Sequence, residues 1–220
     1  MFTILLLVVR FPAPPARRSG ADYRVRAALK YVWADRPLLL ALLAVATVGF
    51  ASDPSITLTP SMADELGGGA KLVGTLSAVF GVGAAVGMVV LALMRGRMAS
   101  ARVSSIGLAG LAAGCGVLAV ATGPVVAMAG FALAGLGFGW AMTGLSTVVQ
   151  ERAPEELRGR IMALWLVGFL GSRPIAAALL GGTADAVSVQ AAFAVAAALT
   201  LVVALWCRPS NLLGPLPERA

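Results

Sequence analysis

"VGFLGSRPIAAALLGG", residues 167–182, places one arginine and one proline inside a stretch that is otherwise apolar or small. The stretch continues in both directions without another charge, from Arg160 to Asp185. A helix that crosses the hydrocarbon core of a bilayer needs ~20 such residues. Arg173 then lies near the middle of a membrane span, where its side chain is too deep to reach the surface.

Five more apolar stretches of similar length occur in the chain. The whole sequence has a mean hydropathy of +0.91, with 59% hydrophobic and 12% charged residues. This composition argues against a soluble domain. The six predicted spans, numbered span 1 to span 6, cover residues 38–61, 72–94, 103–122, 125–148, 161–184 and 188–207. The sequence therefore predicts an all-α membrane protein with six transmembrane helices.

The basic residues predict the orientation of these helices. Alternate connections and both terminal regions hold nearly all of them: Arg17, Arg18, Arg24, Arg26, Lys30, Arg36, Arg95, Arg97, Arg102, Arg152, Arg158, Arg160, Arg208 and Arg219. By the positive-inside rule we expect a multi-pass protein of the cell membrane with both termini in the cytoplasm. The net charge of +7 forms no stripe with interleaved aromatics, so the lipid bilayer and not nucleic acid is the expected partner.

Three regions are expected along the chain. Residues 1–37 are interpreted as the stub of a preceding helix followed by a cytoplasmic linker, because the apolar run Phe2–Val9 is too short to span. Residues 38–207 form the six-helix bundle, and residues 208–220 form a cytoplasmic tail. The stub favours a fragment or truncated product over a half-size protein that acts as a dimer.

Glycine pairs at GxxxG spacing recur within the spans, as in Gly83/Gly87, Gly110/Gly114 and Gly135/Gly139. Small residues at this spacing let transmembrane helices approach closely. We expect them to pack the helices of one bundle together.

Asp53 is the second charge inside a span, and span 1 runs in the same direction as span 5. Counting ~1.5 Å per residue brings Asp53 and Arg173 to similar depths. We therefore expect the two to pair or to share a hydrated cavity. Pro54 and Pro174 follow the two charges directly and predict a break in each helix, as a bend or an unwound turn beside the charge. Such breaks occur at transporter substrate sites, and the alternative is a purely structural ion pair.

Span 4 carries a polar side that includes Trp140 and Thr143, which are candidates for a substrate pathway. Packing is the competing interpretation for each. The chain has no histidine, so it lacks imidazole ligands and Ser-His-Asp triads. No catalytic constellation, metal site or cofactor site is evident, and we do not expect an enzyme.

Three segments resemble the C-terminal half of major facilitator superfamily transporters. They are "RVRAALKYVWADRPLLLALL" at 24–43, "LGGGAKLVGTLSAVFGVGAAVG" at 66–87 and "QERAPEELRGRIMALW" at 150–165. The last holds the expected cytoplasmic loop motif, with Glu151, Pro154, Arg158, Gly159 and Arg160. Pro154 suits the first turn of the helix that follows. The likeness is to the drug-and-siderophore exporter branch, which includes the enterobactin exporter and macrolide efflux permeases.

The resemblance implies a half-transporter built from two inverted three-helix repeats, with the substrate between this half and an N-terminal half. It implies proton-coupled efflux of small amphipathic molecules, such as drugs or siderophores, by an antiporter. The expected partner is the missing N-terminal half or a second copy. Arg95–Arg102 lacks the aspartate of the family's gating motif. The alternative function is a non-transporting membrane scaffold, or a half-size subunit that acts only as a dimer.

Overall fold

The computed structural model describes residues 25–94 and 97–214, which form an all-helical bundle without strands. Six of its helices are long and apolar enough to cross a membrane. They are span 1 at Arg36–Thr57, span 2 at Gly69–Leu93, span 3 at Ser100–Ala119, span 4 at Pro124–Arg152, span 5 at Arg158–Ala186 and span 6 at Val189–Trp206. The six predicted spans are confirmed, with ends that differ by a few residues. The proposed stub lies outside the described residues.

Span 1 ends earlier than the sequence suggested. Its helix stops at Ser52, resumes over Pro54–Thr57 and is interrupted again at Leu58 before a short helix, Thr59–Glu65. Pro60 explains the second interruption, because it has no N–H to continue the helix and is suited to restarting one at its first turn. Gly67 and Gly69 then turn the chain into span 2 with positive φ angles of 71° and 52°, which glycine adopts without strain.

Glycines bring the backbones of neighbouring spans into contact. An added Cβ on Gly114 of span 3 would lie 2.6 Å from the Cα of Ala134 in span 4, and one on Gly110 would lie 3.2 Å from the Cα of Gly137. The predicted close packing within one bundle is therefore present. Span 4 also packs on span 2 and span 1, and span 6 packs on span 3.

Span 1 lies at the centre of the bundle. In its apolar stretch 67% of the residues are buried, against 22% for span 2 and 11% for span 5. Span 1 packs against spans 4, 5 and 6, and its residues Leu38, Val45 and Val48 are fully buried. Spans 2 and 5 therefore present most of their surface to the outside of this half.

Two short helices cover one end of the bundle. The linker helix Val25–Ala34 packs against spans 1 and 5, and the tail helix Pro209–Leu212 packs against spans 1 and 3. This end, which we call the basic end, holds Arg152 and the arginines at the start of span 5. Leu212 of the tail helix is buried there.

Candidate functional site

Asp53 and Arg173 lie together between spans 1 and 5. The Nε of Arg173 is 3.6 Å from Oδ1 of Asp53, and the aspartate side chain is only 7% exposed. The expected contact between the two in-span charges is therefore present. A role for either residue in transport stays a prediction.

A threonine one turn beyond the interruption in span 1 holds the Asp53 carboxylate in place. Thr57, one helical turn later, donates its hydroxyl to Oδ2 of Asp53 at 3.0 Å and to the Asp53 carbonyl at 3.1 Å. The helix is interrupted at Asp53 and begins again at Pro54, as the proline predicted. Both carboxylate oxygens thus have a partner in this half.

The guanidinium of Arg173 has fewer hydrogen-bond partners than the Asp53 carboxylate. It lies 5.8 Å from the ring centre of Phe169, a cation–π distance, and its side chain is 28% exposed. The 3.6 Å separation from Asp53 is longer than a hydrogen bond. Within residues 25–94 and 97–214, no hydrogen bond from this guanidinium is formed. Arg173 therefore retains donors for a further acceptor.

The helix of span 5 continues through Pro174, so the predicted unwinding there is wrong. Span 5 runs without interruption from Arg158 to Ala186. A proline removes only one backbone donor, and neighbouring helices and hydroxyls can stabilise a transmembrane helix around it. Ser172 lies beside it and donates its hydroxyl to the Phe169 carbonyl at 2.9 Å.

Four aromatic side chains, which we call the aromatic strip, connect spans 2, 4 and 5. Ring centres are 5.7 Å apart between Phe80 and Phe138, 6.2 Å between Phe138 and Phe169, and 5.9 Å between Phe169 and Trp165. Phe169 also contacts the guanidinium of Arg173. All four residues are partly buried. The sequence analysis missed this strip, although residues 165, 169 and 173 are spaced at four and so share a helix face.

Trp140 and Thr143 lie elsewhere on span 4. The Trp140 indole donates to the Gly87 carbonyl of span 2 at 2.7 Å, and the Thr143 hydroxyl donates to the Gly139 carbonyl of its own helix. Neither residue bonds to Asp53 or Arg173. These contacts favour packing for Trp140.

Thr143 also lines a cavity of about 320 Å³ between spans 2, 3 and 4. Glu151 lies at the rim of this cavity and accepts a hydrogen bond from Ser100 at 2.8 Å. Thr143 therefore lies beside a different space from the one between Asp53 and Arg173. Its role in a substrate pathway stays a prediction.

Pro154 precedes the helix of span 5 instead of lying in its first turn. Pro154 closes a turn in which Leu157 donates its N–H to the Pro154 carbonyl at 3.1 Å. Span 5 then starts at Arg158, followed by Gly159 and Arg160. The expectation that Pro154 lies in the first helical turn is wrong, because this turn is separate from the span.

A second ion pair, which the sequence analysis missed, lies at the basic end. Arg152 at the end of span 4 bonds to Asp35 through Nε and Nη2 at 2.9 to 3.1 Å. The two side chains are 8% and 0% exposed. Asp35 also caps span 1 by accepting from Leu38 N at 3.2 Å.

The same arginine ties two further segments together. Its Nη1 donates to the Gly214 carbonyl of the tail at 2.8 Å, and the Tyr31 hydroxyl of the linker helix donates to the Arg152 carbonyl at 3.2 Å. We call Tyr31, Asp35, Arg152 and Gly214 the basic-end clasp. It joins the linker helix, span 1, span 4 and the tail.

The two cysteines are buried and lie apart. The Cys115 thiol lies 3.8 Å from the Ala51 carbonyl, and the Cys207 thiol lies 3.8 Å from the Leu40 carbonyl. Eleven residues of one helix separate these carbonyls, which corresponds to ~16 Å and is too far for a disulfide. In the described ranges, no group of three or more metal-ligating side chains is brought together.

Comparisons with known proteins agree with this architecture. A family model described as Major Facilitator Superfamily matches residues 41–219. The chain is 31% identical over 190 residues to the enterobactin exporter EntS of Salmonella choleraesuis (strain SC-B67). That alignment covers 81% of this chain and 43% of the exporter. The chain therefore spans less than half the length of this relative.

Two solved structures share the fold. The E. coli fucose:proton symporter FucP matches with a TM-score of 0.73 and 17% identity, over 93% of this chain and 50% of that one. A bacterial homolog of the human lysosomal transporter Spinster matches with a TM-score of 0.66 and 14% identity, over 96% and 56%. At these identities the likeness concerns the fold alone.

Proposed function

Because the chain belongs to the Major Facilitator Superfamily, whose members are transporters and not enzymes, we propose that it serves as one half of a proton-coupled exporter. The cargo would be a small amphipathic molecule of drug or siderophore type. The likeness to an enterobactin exporter supports the outward direction. The complete transporter would place this half against an N-terminal six-helix half.

The Asp53–Arg173 pair carries the proposal. Asp53 is deeply buried, while Arg173 lies midway along span 5 and is partly exposed. Charged groups at such depth are costly and usually functional. Proton binding to Asp53 would remove its negative charge and release Arg173 for an anionic group of the cargo. Proton uptake and cargo binding would thereby be linked through one ion pair.

The open surface of span 5 supports a cavity between two halves. Only 11% of its apolar stretch is buried in this half, and it is the span that carries Arg173. A second half packed across spans 2 and 5 would enclose the pair between the two bundles. The distribution of arginines further supports a place in the cell membrane with both termini in the cytoplasm.

A split exporter tests the proposal. The enterobactin exporter is expressed as two separate six-helix halves in cells that lack it, and this chain then replaces its C-terminal half. We expect enterobactin to appear in the medium at a level well above that of the N-terminal half alone. Asp53→Asn should lower this export at least tenfold, because the proton site is lost.

Asp185→Asn provides the matched control. Asp185 is an exposed aspartate at the end of span 5, so the same chemical change there should leave export unchanged. If the relative's own halves restore export but this chain does not, it behaves as a scaffold and the proposal is wrong.

A further inference from the structure

The aromatic strip and Arg173 form one continuous surface beside the in-span ion pair. Trp165, Phe169 and Arg173 follow one another at intervals of four residues on span 5, the least buried span. Trp165 and Phe169 are stacked, with 27° between their ring planes. Phe138 of span 4 extends the surface sideways. Such rings offer flat faces to which another planar ring can stack.

Two hydrogen-bond donors flank Phe169 without an acceptor. The Trp165 indole nitrogen is buried and has no hydrogen-bond partner in the described part of the chain. The Arg173 guanidinium likewise donates no hydrogen bond there. A native structure rarely leaves a buried donor without an acceptor, because the hydrogen bonds it made to water are then not replaced. Of these two donors, only the partly exposed Arg173 guanidinium can be reached by the acceptor of a bound molecule.

The exposed charge at this surface is positive. Arg173 is 28% exposed, whereas Asp53 is 7% exposed and already accepts the Thr57 hydroxyl. A ligand that approaches the strip would meet a cation with free donors before it met the carboxylate. This arrangement favours an anionic ligand over a cationic one.

We propose that the strip and Arg173 bind flat aromatic anions, with the ligand ring against Phe169 and Phe138 and its anionic group on the guanidinium. The assignment of these anions as cargo rests on the proposed function, whereas the binding itself does not.

The binding test uses the purified 220-residue chain in detergent micelles and calorimetric titration with a matched ligand series. Naphthoate carries both the flat ring and the charge. Naphthamide keeps the ring without the charge, decalin carboxylate keeps the charge without the flat ring, and naphthylmethylamine reverses the charge. We expect naphthoate to bind at least tenfold more tightly than each of the other three.

Variants locate the binding on the strip. Phe169→Leu should weaken naphthoate affinity about 3- to 10-fold, because it removes the stacking face but keeps apolar bulk. Phe193→Leu is the matched control, since Phe193 pairs with Phe131 outside the strip.

Several results would overturn the inference: no naphthoate binding by the wild-type chain, equal affinity for any other member of the series, or equal losses from Phe169→Leu and Phe193→Leu. Failure of the split exporter with intact naphthoate binding would instead reject only the transport role. Export together with naphthoate binding that does not depend on the strip would reject the inferred binding site but not the transport role.

Discussion

Asp53 and Arg173 neutralise each other inside a pair of helices that would otherwise hold isolated charges in lipid. Their separation of 3.6 Å gives an attraction without the tight geometry of a bidentate pair. At the residue scale, the main effect of the pair is that each charge lowers the free-energy cost of burying the other.

This mutual dependence predicts a coupled response to substitution. Asp53→Asn and Arg173→Gln should each lower the stability of the chain, because each leaves one charge without its partner. The double variant should be more stable than the sum of the single losses predicts, by about 1 kcal/mol. Unfolding in mixed micelles of increasing denaturing-detergent content measures the three values.

These three variants form a double-mutant cycle. If the two single losses of stability simply add in the double variant, the ion pair is contradicted. Asp185→Asn combined with Arg173→Gln gives the matched cycle, because Asp185 is exposed at the end of span 5. The effects of those two changes should add.

At the scale of helices, spans 3 and 4 are held together by backbone contact. A Cβ on Gly114 would lie 2.6 Å from the Cα and 2.7 Å from the Cβ of Ala134, closer than packed atoms come. Gly116 of the same helix has open space around its Cα. The two glycines therefore differ in packing although they are two residues apart.

Gly114→Ala should destabilise the bundle by about 1–3 kcal/mol, because the added methyl forces spans 3 and 4 apart. Gly116→Ala should be neutral or stabilising by up to about 1 kcal/mol, since alanine favours the helix. Thermal unfolding of the two variants in the same detergent makes the comparison. Equal stabilities of the two variants would mean that the close contact at Gly114 does not set the effect.

The basic-end clasp links helices that are far apart in sequence. Asp35 and Arg152 are 117 residues apart, and both are buried. Removing one partner of such a pair leaves a buried charge unpaired. Cys207 lies beneath the same end, where burial raises the pKa of its thiol to about 11, so near neutral pH it is protonated and reacts slowly.

Arg152→Gln should cost about 3–5 kcal/mol of stability and release the tail from its Gly214 contact. Iodoacetamide should then alkylate Cys207 faster than in the wild type, measured on a Cys115→Ala background. In the intact chain the alkylation rate should instead rise with pH up to about pH 11, as the thiolate forms.

Two further variants test whether the loss of stability comes from the unpaired buried charge. Arg158→Gln changes an exposed arginine and should shift stability by no more than about 0.5 kcal/mol. Asp35→Asn keeps a side chain that caps helices well but removes the charge, so it should destabilise through Arg152 alone. Unchanged Cys207 reactivity in Arg152→Gln would mean that the tail is held by Leu212 and not by the clasp.

At the scale of the whole molecule, the burial of the six spans is uneven. Span 1 is enclosed, whereas spans 2 and 5 are mostly uncovered. Leu170 on span 5 is 49% exposed and Val202 on span 6 is 48% exposed. If a second six-helix half packs across span 5, position 170 will become buried in the assembled transporter. Position 202 will stay exposed.

Spin labels at Leu170→Cys and Val202→Cys test this expectation. Both labels should collide freely with dissolved oxygen when the chain is alone in lipid. Co-expression with an N-terminal half should reduce the collisions only at position 170. A reduction without the added half would indicate that a second copy covers span 5, and equal reduction at both positions would contradict the assigned face.

Sequence patterns predicted the parts of this structure that depend on local composition. The six spans follow from the length of their apolar stretches, and the Asp53–Arg173 contact follows from two isolated charges on helices of like direction. The aromatic strip did not follow, because the spacing of Trp165 and Phe169 defines a helix face without saying which helices oppose it. Asp35 was missed for a related reason, since it resembles an ordinary loop charge.

The order in which the ion pair is synthesised has a consequence for biogenesis. The ribosome makes Asp53 120 residues before Arg173, and at 5–20 residues per second this interval lasts roughly 6 to 24 seconds. During translation the first span therefore waits in the insertion machinery or the lipid with its carboxylate uncompensated. A nascent chain stalled before residue 173 should therefore hold its first span in the membrane less stably than a nascent chain that includes Arg173.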